Sequence, residues 1–307
     1  MADYPAIVSR LSAALPALEI RENEPMSEHC SFKIGGPARL MLLPSSAEEA
    51  ASALAILRSS GAQVLIVGSC TNLLIPDEGY PGAVVRMSKP ASSMELLDAA
   101  RIRAQAGATL NALAVFAAQH ELTGLEFAHG IPGSVGGGVA MNAGAYGGEM
   151  RDVLESAEYV DKDGAIRTLS GDALGLSYRH SAFSDTDKLI TSAVFRLTPG
   201  DGEAVRARMN ELIEKRRASQ PLDMPSAGST FKRPKTGYAA ALIDEAGLKG
   251  LRVGGAMVSA KHAGFVVNAG GATYSDVIEL MREVRRRVYE FSGVLLEPEV
   301  KIIGPGL

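Results

Sequence analysis

The chain has 307 residues, a net charge of −4, a pI of about 5.8, 46% hydrophobic and 21% charged residues. That is the composition of an ordinary globular protein with room for two or three cored domains. It gives no basis for a nucleic-acid or membrane-surface partner, and no apolar run is long enough to span a bilayer.

Cys30 and Cys70 are the only cysteines. Two are too few for a disulfide framework, and they read as reduced cytosolic thiols. The opening MADYPAIVSRLSAALPALEI has no basic segment ahead of its apolar residues, so a signal peptide is not expected and the location reads as cytoplasmic.

Tyr4–Leu15 reads as a short amphipathic helix. In SEHCSFKIGGPARLMLLP, the Gly35-Gly36-Pro37 turn leads into an apolar strand at Arg39–Leu43. Ser46 with Glu49 predicts a capping box for a helix ending near Gly61. Gln63–Val67 is a β-branched strand running into the turn Gly68-Ser69-Cys70-Thr71-Asn72-Leu73-Leu74. Ala83–Met87 and Arg101–Ala106 read as strands, and Thr109 as the N-cap of a helix.

Gly124–Met150 (GLEFAHGIPGSVGGGVAMNAGAYGGEM) holds nine of the 33 glycines and no Lys or Arg. Glycines at this density admit positive-φ turns and bring main-chain N–H groups close to a ligand, which suits a pyrophosphate held without cations. The alternative is a flexible linker, against which stand Ile131, Val135, Val139 and Met141, apolar residues that favour burial. Neither G-x-G-x-x-G nor G-x-x-x-x-G-K-[ST] occurs anywhere, so a Rossmann site and a P-loop are both excluded on motif grounds.

Further on, Asp163-Gly164 marks a hairpin within Glu158–Leu169, and Lys188–Leu197 is another strand. Thr198–Gly202 is a breaker cluster. Beyond it the pattern gives a charged helix (Glu203–Ala218), a loop (220–234), a helix (Tyr238–Ala246), a loop and strand (254–267), a helix (Ser275–Phe291) and a strand (300–303). Arg282, Arg285, Arg286 and Arg287 read as a solvated helix face. The mixture of strands and helices is that of an α+β protein, not a parallel βαβ array.

Three short motifs carry residue types suited to chemistry. These are Ser177-Tyr178-Arg179-His180-Ser181, the loop Pro225–Pro234 (PSAGSTFKRP), and Leu295–Val300 (LLEPEV), whose two carboxylates stand among apolar residues. Each alone is also what a surface strand or a turn looks like.

Together with the glycine segment, the three motifs occur in the order and spacing of a known family. GIPGSVGGGVAMNAGAYGGEM resembles the flavin-binding segment of the UDP-N-acetylenolpyruvoylglucosamine reductases, and the resemblance extends over nearly the whole chain to the shorter, second type of that family. It implies an FAD-binding fold of the vanillyl-alcohol-oxidase type followed by a smaller α+β substrate-binding domain. The implied division is an FAD-binding subdomain at 1–83, a second at 84–198 and the substrate domain at 199–307. It further implies non-covalent FAD, NADPH as hydride donor, a UDP-sugar enolpyruvyl ether as substrate, no metal, no nucleic-acid or membrane partner, and a monomer.

Residue by residue, the resemblance assigns FAD contacts to Gly68, Ser69, Asn72, Leu73, Gly107, Gly130, Pro132, Gly133, Ser134, Gly137, Asn142 and Gly144. Arg179 is the implied substrate-polarising arginine, Ser229 the proton donor and Glu299, rather than Glu297, the catalytic glutamate. Tyr178, Lys232 and Arg233 are implied substrate contacts. Hydride would go to C3 of the enolpyruvyl group, charge onto its carboxylate opposite Arg179 and Glu299, and a proton from Ser229 to C2.

The chain departs from the family pattern at three places. Cys30 stands near a usual Thr, Ser69-Cys70-Thr71 replaces part of a Gly-Gly-Gly-Ser-Asn-Leu-Leu run, and Ser219 stands at a usual Lys. Arg216 and Arg217 are the neighbouring cations that would replace that Lys, and His262 is either a substrate contact or a structural histidine. Two other readings are an oxygen-using flavin oxidase of the same superfamily and a non-enzymatic flavin or sugar-nucleotide sensor. No covalent-attachment context favours the first, and intact Arg179, Ser229 and Glu299 speak against the second.

Overall fold

Six of the seven α-helices among the described residues stand where local sequence places them. A computed structural model describes residues 2–87 and 89–307. The chain divides into two compact units: Met1–Asn23, Arg39–Ser69 and Pro81–Lys215 form the first, and Glu24–Ala38, Cys70–Tyr80 and Arg216–Leu307 the second. Segments 24–38 and 70–80, which the sequence reading puts in its 1–83 subdomain, thus cluster with the C-terminal residues.

In the first unit, α1 (Tyr4–Ala14) starts at Asp3, whose carboxylate accepts the Ala6 N–H at 3.1 Å. Helix α2 (Ala47–Ser59) is capped by Ser46, which accepts Glu49 N–H at 3.1 Å. The Glu49 carboxylate accepts the N–H of Ser45 at 2.7 Å rather than that of Ser46, so the predicted capping box is displaced by one residue. Thr109 caps α3 (Leu110–Gln119).

A five-stranded antiparallel sheet runs in the order Ile166–Ser170, Leu154–Val160, Leu189–Arg196, Arg101–Gln105, Met94–Leu96. Asp163-Gly164 lies in its first hairpin, Gly164 at φ 81°. A four-stranded sheet has the order Glu19–Pro25, Pro37–Leu43, Tyr80–Val85, Val64–Ile66, with the last two strands parallel. Leu54, Leu57, Leu113, Val139 and Phe195 belong to one buried cluster.

Two elements of this unit depart from the expectations. Glu19–Pro25 (EIRENEP) is a strand without hydrophobic alternation, since most of it is exposed. Val135–Ala140 (VGGGVA), inside the glycine segment, is a helix, α4. Glycine opposes a helix by about 1 kcal/mol per residue. Tertiary packing overrides that here: a Cβ on Gly136 would lie 3.0 Å from the Ala106 Cβ, and one on Gly138 2.9 Å from Leu110.

The division between the units falls within helix α5 (Gly202–Ser219), between Lys215 and Arg216. In the second unit, α6 (Ala239–Glu245) and α7 (Tyr274–Ser292) accompany an antiparallel sheet ordered Ser226–Ser229, Phe265–Asn268, Ala256–Val258, Arg252–Val253. The region read as a loop at 220–234 therefore contains an edge strand, and 254–267 is two strands around a loop. Helix α7 has a true capping box, Thr273 with Asp276, and ends at Gly293 in the left-handed region at φ 71°. It buries Val277, Ile278, Met281, Val284 and Val288.

The arginine face of α7 is only partly solvated by its own neighbours. Arg286 and Arg287 pair with Glu283, whereas Arg282 donates to Gly306 O and Arg285 to Leu296 O. Two short strands, Leu73–Leu74 and Lys301–Ile302, pair in parallel.

Candidate active site

The predicted flavin residues of the first unit surround the start of α4. Ser134 is its N-cap, accepting Gly137 N–H at 3.3 Å. A Cβ on Gly68 would stand 2.7 Å from Ser134 Oγ and 3.1 Å from Gly137 Cα, so the turn after Val64–Ile66 meets this helix main chain to main chain. Gly130 and Gly133 adopt φ of 83° and 151°. Only glycine takes such angles without strain, and each leaves no side chain over the loop.

The N–H groups of the helix start are spent internally: Val135 N donates to Ala108 O, Gly136 N to Ala106 O and Gly137 N to Ser134 Oγ. Gly107 N likewise donates to Ala91 O. The main-chain N–H groups of Gly107 and Gly137 are thus engaged within the protein. The segment 124–150 holds no Lys or Arg, and Gly130 and Gly133 carry no side chain over its loop. A glycine-rich, cation-free segment of this kind fits a dinucleotide pyrophosphate.

Asn142 is fully buried at φ 45°, and its amide is committed to the protein. Oδ1 accepts Arg151 N–H, and Nδ2 donates to Glu149 Oε2 and to Ser177 O, all at 2.9 Å.

That last bond leads to Arg179. Ser177 and His180 exchange two backbone hydrogen bonds of 3.0 Å, making Tyr178 and Arg179 the tip of a tight turn. Arg179 has φ 54°; its guanidinium lies 3.5 Å from Gly144 O by both terminal nitrogens and 5.2 Å from the Tyr178 ring centroid. Downstream, the Ser181 and Ser184 hydroxyls both donate to Ala140 O, at 2.6 and 2.9 Å. The glycine helix thus anchors the Arg179 turn. Gly144 itself must be glycine, since a Cβ there would lie 2.7 Å from Gly148 O.

In the second unit, Ser229 and Glu299 stand on adjacent extended segments. Ser229 pairs with Phe265, and Phe231 with Pro298. Thr230 sits between them: its O accepts Glu299 N–H at 2.8 Å, and its buried Oγ1 accepts Val266 N–H at 2.9 Å. Asn72 Nδ2 donates to Glu299 O at 3.0 Å, and Asn72 O accepts Lys301 N–H at 3.0 Å. Asn72 therefore holds the Glu299 backbone from the far side, with Leu73 in register with Lys301. Neither Thr230 nor this use of Asn72 was legible in the sequence, because a threonine in a strand and an asparagine in a turn carry no distinctive signal.

Of the two carboxylates in Glu297-Pro298-Glu299, Glu297 is 77% exposed and lies 3.8 Å from Lys232, whereas Glu299 is half-buried. Arg233 stacks on Tyr238, 4.2 Å from the ring centroid. Arg216 is buried and donates to Gln220 Oε1 at 3.1 Å. His262 Nδ1 accepts Gly264 N–H at 3.1 Å and its ring packs edge-on to Phe265; burial pushes its pKa below the ordinary value. Accepting this bond keeps Nδ1 unprotonated and ties the ring to the Gly264 turn.

No cluster of metal-ligating side chains occurs among the described residues. Two surface cavities of the first unit, about 340 and 310 Å3, are lined by residues around Asp161 and around His129, the latter next to the predicted Gly130.

Two domain-family models match the chain: an FAD binding domain over residues 38–170 and the UDP-N-acetylenolpyruvoylglucosamine reductase C-terminal domain over 220–303. The chain is 45% identical over 298 residues to the UDP-N-acetylenolpyruvoylglucosamine reductase of Caldanaerobacter subterraneus subsp. tengcongensis, covering 97% of this chain and 98% of that protein. It is 44% identical to that of Levilactobacillus brevis, with 97% of each covered.

The crystal structure of the reductase from Thermus caldophilus superimposes with a TM-score of 0.80 at 36% identity, over 94% of this chain and 99% of that one. An alkyldihydroxyacetonephosphate synthase shares the fold alone, at a TM-score of 0.50 and 18% identity over 64% of this chain and 41% of that one. The fold is the FAD-binding type of the vanillyl-alcohol-oxidase superfamily with a reductase C-terminal domain, as the sequence implied, and the chain belongs to the UDP-N-acetylenolpyruvoylglucosamine reductase family.

Proposed function

We propose that the chain binds FAD non-covalently and uses NADPH to reduce the enolpyruvyl ether of UDP-N-acetylenolpyruvoylglucosamine, yielding UDP-N-acetylmuramate for peptidoglycan precursors. It acts as a monomer in the cytoplasm. The observation that carries this reading is the near-full-length identity to reductases of this name, spanning both the FAD-binding and the C-terminal domain models. Residues 1–83 and 84–198 serve FAD, and 199–307 serve the sugar nucleotide.

When bound, FAD supplies to the enolpyruvyl C3 a hydride obtained from NADPH. Hydride addition there moves electron density onto C2 and the carboxylate. The fixed guanidinium of Arg179 takes that charge, in the bidentate manner that suits a carboxylate. Glu299 assists by a hydrogen bond, direct or through a water. Ser229 holds the proton for C2; a hydroxyl is a weak acid, so its developing charge needs a nearby donor or cation. Lys232 and Arg233, three and four positions on, supply positive charge to this loop, and with Tyr178 they are assigned to the sugar nucleotide.

The test is to purify the protein, record its flavin spectrum, and follow NADPH oxidation with and without the enolpyruvyl sugar nucleotide, under air and under argon. Yellow protein whose NADPH oxidation depends on the sugar nucleotide and not on oxygen is the expected result. Oxidation that requires oxygen and ignores the sugar nucleotide would make the protein an oxidase.

A further inference from the structure

We infer that Asn142 is a positioning residue for Arg179, setting the turn that presents the guanidinium, rather than a contact to the flavin. The inference rests on the reading of Arg179 as the group that stabilises substrate charge.

The amide of Asn142 is out of reach of any ligand. The residue is fully buried, both Nδ2 hydrogens are donated and Oδ1 accepts. One of those bonds ends on Ser177 O, the same carbonyl that accepts His180 N–H to close the turn. The turn cannot open on that side without leaving a buried amide N–H unsatisfied, which costs about 1–3 kcal/mol.

Arg179 itself stands at φ 54°, a conformation that a side chain other than glycine occupies only when its surroundings impose it. Ser181 and Ser184 anchor the following residues to Ala140 O, so Asn142 is the side-chain anchor on the preceding side. Two residues beyond Asn142, Gly144 O lies 3.5 Å from the guanidinium. The segment 142–144 therefore meets both the backbone of the Arg179 turn and its charged end. A guanidinium must stand within a fraction of an ångström of its working place, and a displacement of about 1 Å can cost on the order of 10²-fold in rate.

Asn142→Ser and Asn142→Asp, each alone and combined with Arg179→Ala, test the assignment in stopped-flow experiments on the holoenzyme. Asp keeps the acceptor for Arg151 N–H and nearly the volume of Asn, but loses both donors. The expected result is that both variants keep FAD and its reduction by NADPH, while reoxidation by UDP-N-acetylenolpyruvoylglucosamine slows about 10- to 100-fold. In the Arg179→Ala background the same changes should cost nothing further, because the residue being positioned is gone. Additive losses in the double variants, or wild-type reoxidation in the single ones, would overturn the inference. Loss of fold and flavin in both variants would equally overturn it, making Asn142 a stability residue. Wild-type reoxidation in Arg179→Ala alone would instead reject the role of Arg179, a distinguishable failure.

Discussion

Ser229 carries the most specific chemical claim, because hydride and proton reach different carbons from different donors. In Ser229→Ala the addition at C3 should become reversible, since nothing quenches the charge left at C2. Turnover should be lost while exchange or isomerisation at C3 persists, which NMR of the sugar nucleotide in labelled solvent would detect. Ser229→Cys should recover part of the rate, a thiol being able to donate from nearly the same place. Full turnover in Ser229→Ala would move the proton donor elsewhere. For Arg179→Ala and Glu299→Ala, loss of a preorganised charge stabiliser predicts reoxidation slower by on the order of 10²-fold or more. Glu297→Ala is the control: its side chain is 77% exposed and its ion pair with Lys232, at 3.8 Å, is of the weak surface kind, so activity should change little. Equal losses in Glu297→Ala and Glu299→Ala would undo the choice between them.

At the scale of elements, the site depends on close backbone approach at α4. The turn at Gly68 meets Ser134 and Gly137 with no room for a methyl group. Gly68→Ala should cost about 1–3 kcal/mol, as overpacking does, and weaken FAD retention. Thermal unfolding and flavin content after gel filtration would check both; unchanged values would show that this contact yields easily. The same region marks where sequence reading succeeded and where it failed. The glycine segment, the caps at Ser46 and Thr109 and the Asp163-Gly164 hairpin were legible because each rests on local chemistry. A helix of VGGGVA was not, because its stability comes from Ala106 and Leu110 rather than from propensity. The strand Ser226–Ser229 was hidden because its pairing with Phe265–Asn268 is set by residues distant in sequence. Arg179, Ser229 and Glu299 stood out by family resemblance, whereas the supports Asn142, Thr230 and Asn72 became visible only through their hydrogen bonds.

For the molecule as a whole, the second unit carries a built-in pH dependence. Burial holds His262 below its ordinary pKa of 6.5, so the unfolded chain binds the proton first as pH falls. The contribution of this residue to stability is complete above about pH 7 and is lost as pH drops through 6.5 toward the folded-state value. His262→Gln should flatten that part of the profile, measured as the urea midpoint between about pH 7 and 5; an unaltered slope would assign it to other groups. FAD should be released by acid or heat, since the chain has no evident linkage residue. Flavin that stays with the denatured polypeptide would contradict non-covalent binding. The central claim is that the flavin is reduced by one substrate and reoxidised by another, with Ser229 needed only for the second. Stopped-flow absorbance of the flavin, with NADPH first and UDP-N-acetylenolpyruvoylglucosamine second, tests it in wild type and Ser229→Ala. NADPH should bleach both at the same rate, and the sugar nucleotide should restore the yellow colour to completion only in wild type; recolouring of Ser229→Ala at the wild-type rate would rule out Ser229 as the proton donor.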